Sequence, residues 1–139
     1  MSYSISSIKY LEPQTLKSWF TQGSPTGTGR FLVVDVRDSD YIGGHIKDSL
    51  HIPSPAFTLQ VEDLISKAND KDDIVFHCAL SQQRGPSAAM KFLRSVPIGF
   101  LDDKNVWVLR GGFTQWQELY GEDDTVTEGY QKDIWKFGY

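Results

Sequence analysis

The sequence predicts an α/β fold: a central parallel sheet with helices on both faces. Three observations carry that expectation. The stretches "FLVVDV" (31–36) and "DIVFHC" (73–78) are nearly unbroken apolar runs, as strands buried on both faces read. Amphipathic segments of helical period alternate with them. Proline and glycine mark most of the junctions.

Taken in order, "ISSIKYL" (5–11) is expected as a short first strand. "PQTLKSWFTQG" (13–23) is a helix opened by Pro13 and closed by Gly23, with Leu16, Trp19 and Phe20 at helical spacing. "SPTGTG" (24–29) is a loop before the strand 31–36, and "SLHIP" (49–53) a short strand stopped by Pro53. Residues 57–68 form an amphipathic helix presenting Leu59, Val61, Leu64 and Ile65. After the strand 73–78, residues 86–96 form a helix with Ala89, Phe92, Leu93 and Val96 on one face. "NVWVLRGG" (105–112) is a strand broken by two glycines, followed by a helix over 113–120. The segment 121–139 is expected as coil, docked through Tyr130, Trp135 and Phe137.

The length suits a single domain over residues 1–139, with 121–139 as its tail. A net charge of −4 argues against nonspecific nucleic-acid binding, which needs a basic footprint. The single cysteine cannot form an internal disulfide. The start, "MSYSISSIKYLEPQ", lacks a signal peptide's basic start and apolar run, and no apolar stretch approaches membrane-spanning length. The expectation is a cytoplasmic protein with no membrane partner, the nucleus being left open.

In such sheets ligands bind beyond the carboxyl ends of the strands. Cys78 sits at such an end, in "HCALSQQRGPSAA" (77–89). If the loop curls, the backbone N–H groups from Ala79 through Leu80, Ser81, Gln82 and Gln83 to Arg84 converge on an anion. The following helix adds its positive dipole end. Arg84 adds a planar fork of donors that matches two oxyanion oxygens. Thiols in such fields have pKa values lowered from about 8.5 to roughly 3.5–7.5. A thiolate there can attack a bound phosphorus or arsenic, with Arg84 and the amides stabilising the transition state. The plainer readings are a buried structural cysteine or a metal ligand. A zinc site is disfavoured because there is one cysteine and no paired ligand spacing. His77 is expected to hold the loop by a hydrogen bond, and Asp35 to cap a turn at its strand end. No metal or organic cofactor is implied.

The "HC", five residues, "RGP" pattern is similar to the active-site loop of the cell-division-cycle dual-specificity phosphatases, which have the rhodanese three-layer fold. "VVDVRDSDYIGGHIKDSLHIPS" (33–54) and "VWVLRGGFTQW" (106–116) resemble the opening and closing rhodanese signatures. The chain resembles small fungal members made of the catalytic domain alone, and some relatives are arsenate reductases. The resemblance implies Cys78 as nucleophile, Arg84 as oxyanion ligand, residues 79–83 as substrate-binding amides, and Asp35 and Arg37 as structural supports. Rhodanese sulfurtransferases have a loop one residue shorter, which ranks sulfur transfer below oxyanion chemistry.

Two departures stand out. The phosphatases carry loop glutamates where this chain has Ala79 and Gln83, and they keep a second cysteine that this chain lacks. General acid catalysis contributes about 10²–10⁴-fold, so poor leaving groups are disfavoured unless a carboxylate arrives from elsewhere. Oxidised Cys78 would need an outside thiol. The leading expectation is a phosphatase acting on phosphotyrosine or small phosphomonoesters through a phosphocysteine. The alternative is an arsenate reductase partnered by glutathione and glutaredoxin. A non-catalytic module that binds a phosphoprotein ranks lower.

Overall fold

The structure, a computed structural model, describes residues 7–137. The main sheet has five strands: β1 (Ile8–Leu11), β2 (Phe31–Asp35), β4 (Leu50–His51), β5 (Asp73–His77) and β6 (Asn105–Leu109). Their order is β1-β6-β5-β2-β4, and every pairing is parallel. A two-stranded antiparallel ribbon joins β3 (His45–Ile46) to β7 (Thr127–Glu128). The helices are α1 (Pro13–Gln22), α2 (Phe57–Ala68), α3 (Arg84–Ser95), α4 (Gly112–Tyr120) and α5 (Lys132–Lys136). A short 3-10 turn (Ser54–Ala56) leads into α2. Among the described residues no helix is long and apolar enough to cross a membrane.

The unbroken apolar runs are explained by two cores, one on each face of the sheet. Successive strand residues point to opposite faces. Ile74 and Phe76 therefore pack with Phe57, Val61 and Leu64 of α2 and with Ala88, Ala89 and Phe92 of α3. Val75, between them, packs with Leu16 and Trp19 of α1 and with Phe113 and Trp116 of α4. Complete burial of a large side chain stabilises by roughly 1.5–3 kcal/mol. All five residues of β5 are buried, so the central strand anchors both layers.

Several boundaries differ from the sequence reading. β1 is seen over Ile8–Leu11, and positions 5 and 6 lie outside the described residues. β6 ends at Leu109, just before the two glycines that break it, Gly111 and Gly112, which both take positive φ. α3 starts at Arg84, two residues before Pro86, with Ser87 N–H bonded to Gln83 O. Leu59 does not belong to the buried face of α2; it is 90% exposed. The buried set is Phe57, Val61, Leu64 and Ala68, and Leu59 falls two positions from Phe57, on the far side of a 3.6-residue turn.

The tail is a correction of larger scale. It is not coil: it supplies β7 and α5. Tyr130 donates its hydroxyl to Gln117 Oε1 at 2.6 Å, and the Trp135 ring packs on Phe113 with centroids 5.5 Å apart. Phe137 does not dock; it is 80% exposed.

Candidate active site

Parallel pairing places Asp35 at the end of β2 opposite His77 at the end of β5. Cys78 follows at the sheet's carboxyl edge and is 3% exposed. Its loop owes its shape to the elements around it. The amides of Phe113 and Thr114, in the first turn of α4, donate to Cys78 O and Ala79 O at 3.0 and 2.9 Å. In a trans peptide the carbonyl and the next N–H point opposite ways. Tying those two carbonyls to α4 therefore turns the Ala79 and Leu80 amides away from it. Gly112 makes the approach possible, since a Cβ there would strike the carbonyl oxygens of Cys78 and Ala79.

The loop encloses a cavity of about 260 Å³ lined by Cys78, Ala79, Leu80, Gln82, Gln83 and Arg84. Ser81, expected among the lining residues, is turned inward instead, with φ 57° and 5% exposure. Its N–H donates to Cys78 Sγ at 3.2 Å, and its Oγ accepts from Cys78 N–H at 3.4 Å. α3 begins at the cavity wall with no side-chain cap, so its first-turn donors and dipole face the same space.

Asp35, Arg37 and His77 form a fully buried layer beneath the loop. Asp35 accepts the backbone N–H of Arg37, as a turn-capping carboxylate would, and also the Arg37 guanidinium at 2.8–3.1 Å. Arg37 Nη2 reaches on to Gly44 O at 2.8 Å, and its guanidinium lies 4.4 Å from the Phe113 ring centre. Burial opposes the charge on Asp35, and the neighbouring His77 and Arg37 outweigh it, leaving its carboxyl below the ordinary value. Burial likewise holds the His77 ring below its ordinary value, against the pull of Asp35. Burial therefore favours the neutral His77 ring, while Arg37 gives Asp35 a hydrogen-bonded counter-charge. A carbonyl can only accept, so His77 Nδ1–H donates to Cys78 O at 3.0 Å, while Nε2 has no hydrogen-bond partner among the described residues.

The sequence reading missed two carboxylates. Asp40 grips Arg84 through two bonds, Nη1 to Oδ1 at 2.9 Å and Nη2 to Oδ2 at 2.6 Å. Asp38 Oδ2 lies 4.0 Å from Nη1. The Arg84 bonds are the main cause that brings the Asp40 carboxyl down to about 2, and the same pair raises Arg84 further above its ordinary value. The available signal was "DSD" (38–40), three residues past the end of a strand that neighbours β5. Among the described residues no cluster of three or more His, Cys, Asp or Glu is placed to hold a metal ion.

A buried thiol and a guanidinium share a small cavity at the carboxyl edge of a parallel sheet, which defines the class of the domain as one built around a cysteine-bearing loop. A model of the rhodanese-like domain matches residues 12–119, and the chain belongs to that family. It is 47% identical to the CDC25-like phosphatase YCH1 of Saccharomyces cerevisiae over 97% of this chain and 99% of that protein. It is 41% identical to arsenate reductase 2.2 of Oryza sativa over 63% of this chain and 70% of that protein. The solved structure of yeast Ygr203w, described as a protein tyrosine phosphatase of the rhodanese family, matches with a TM-score of 0.84 at 45% identity. That match covers 95% of this chain and 99% of the yeast chain.

Proposed function

We propose that this protein is a cysteine-dependent phosphatase that hydrolyses phosphotyrosine or small aryl phosphomonoesters. One observation carries the reading: the Cys78 sulfur, held by Ser81 N–H, shares its cavity with the Arg84 guanidinium. In the reaction Sγ attacks phosphorus, the ester oxygen leaves, and water then hydrolyses the phosphocysteine. Arg84 and the amides of Ala79 and Leu80 stabilise charge on the phosphoryl oxygens. No carboxylate lines the cavity, and Asp40, brought down to about 2 by Arg84, is ionised at neutral pH. Leaving groups that depart as stable phenolates suit such a site better than alkyl alcohols.

The test is p-nitrophenyl phosphate hydrolysis by the purified protein beside Cys78→Ser. Turnover is expected in the unaltered protein and its loss in the variant, which removes the nucleophile and keeps the shape. Equal rates in the two proteins would sink the assignment. The neutral Ala79 and Gln83 and the resemblance to the rice enzyme favour a second reading on the same cavity. Cys78 would displace water from arsenate, and two external thiols such as glutathione would supply the two electrons that release arsenite. Arsenate-dependent consumption of glutathione, absent in Cys78→Ser, distinguishes this reading from the first.

A further inference from the structure

The anion loop carries no carboxylate of its own, yet its arginine is held by one from a different segment. Asp40 comes from the connection between β2 and β3, and it bonds only the outer end of the guanidinium, through Nη1 and Nη2. A guanidinium has five N–H groups in a fixed plane. The two used here leave the side edge, Nε–H with the second Nη2 hydrogen. Among the described residues Arg84 Nε donates to nothing, and Arg84 lines the same cavity as Cys78.

We propose that Asp40 is the positioning residue of this site, clamping the end of the Arg84 guanidinium so that its side edge is presented to the bound oxyanion. The clamp is itself fixed. Asp40 Oδ1 also accepts Asp38 N–H at 2.8 Å, and Asp38 Oδ1 accepts Ser54 N–H at 2.8 Å. Arg37 holds the same connection at Gly44 O, 2.8 Å away, with longer 3.4 Å contacts to Asp40 O and Ile42 O. The buried Asp35–Arg37 layer thus fixes the connection that fixes the catalytic arginine. An arginine free to swing would have to be ordered by each substrate, at a cost in binding. This assignment rests on the oxyanion-binding reading of the cavity and holds equally for phosphate esters and for arsenate.

The experiment uses tungstate, a tetrahedral oxyanion that is not turned over, titrated calorimetrically into the full chain and into Asp40→Ala and Asp40→Asn. Positioning predicts binding weaker by roughly 10- to 100-fold in Asp40→Ala, the scale of loss from a slightly misplaced group. Asp40→Asn, which keeps one acceptor, should lose less, and kcat/KM for p-nitrophenyl phosphate should fall in the same order. Because Asp40 acts through Arg84, adding Asp40→Ala to Arg84→Lys should cost less than about threefold more. Tungstate protection of Cys78 from alkylation measures those weaker constants. Tungstate bound equally or more tightly by Asp40→Ala overturns the proposal, Asp40 then being a bystander or an internal competitor. A full additional loss in the Arg84→Lys background also overturns it. If circular dichroism shows Asp40→Ala unfolded, Asp40→Asn carries the test by the same criteria. Tungstate binding without turnover of any phosphoester would remove the phosphatase reading and leave Asp40 to be judged on its binding constants. An unaltered protein that binds no tungstate would overturn both.

Discussion

At the scale of single residues, the chemistry depends on atoms that never touch a substrate. The Cys78 carbonyl accepts from Phe113 N–H and His77 Nδ1–H, and the Ala79 carbonyl from Thr114 N–H. Gly112 is the position that lets α4 come close enough, with φ 57° and no room for a Cβ. Gly112→Ala should therefore cost more activity than stability. The expected result is a loss of p-nitrophenyl phosphate turnover of about 10²-fold, the scale of a 1 Å displacement, in a protein whose circular dichroism is unchanged. Normal turnover would mean the loop keeps its shape without α4. "RGG" was legible in the sequence as a strand break. Its role in aiming the loop was not, because residues 79 and 112 meet only after the sheet has formed.

At the scale of elements, α5 shows what a short segment gains from its neighbours. Five residues cannot hold a helix alone, since nucleation is unfavourable. Trp135 supplies the anchor: its ring lies on Phe113, and Nε1–H donates to Gly43 O at 2.9 Å. Gly43 has no Cβ to meet the indole, which a side chain there would strike. Trp135→Ala should lower stability by about 2 kcal/mol, less than a fully buried tryptophan because the ring is half-exposed. Denaturant unfolding measures this directly, and a change under about 0.5 kcal/mol would show that α5 is not anchored through this ring. The same contacts explain why the sequence read the tail as coil. Its helical and strand pieces are too short for periodicity to register, and their partners lie far back in the chain: β7 pairs with β3, and the Trp135–Gly43 bond spans 92 positions.

At the scale of the whole molecule, the buried polar layer under the loop links stability to pH. His77 has a folded pKa below its unfolded one, so the unfolded chain binds the proton first. Below about pH 6.5 unfolding takes up that proton, and stability falls as the pH drops. Asp35 and Asp40, both lowered, act in the same direction further down: their contribution is present above about pH 4 and is lost on acidification, for Asp40 as pH falls towards about 2. The melting temperature should decline from pH 7 to 5 and more steeply below. His77→Asn, whose amide N–H can replace Nδ1–H, should remove the decline between pH 6.5 and 5. His45 and His51 remain in both proteins, so the difference between the two curves above pH 5 reports His77. Parallel curves would rule out this linkage.

The sequence by itself determined the layer order, the strand that leads into Cys78 and the presence of thiol and arginine on one loop. These rest on local signals: apolar period, proline and glycine punctuation, and a loop whose members are contiguous. Asp35 capping its own turn through Arg37 N–H belongs to the same group. Tertiary structure alone decided which carboxylate holds Arg84, that Ser81 N–H serves the sulfur, that Leu59 faces solvent, and that the tail braces the β2–β3 connection. Each of these is a meeting of residues on different elements, or a choice of face set by packing. No spacing along the chain encodes such meetings, because the parallel crossovers that bring β2 beside β5 exist only in the folded sheet.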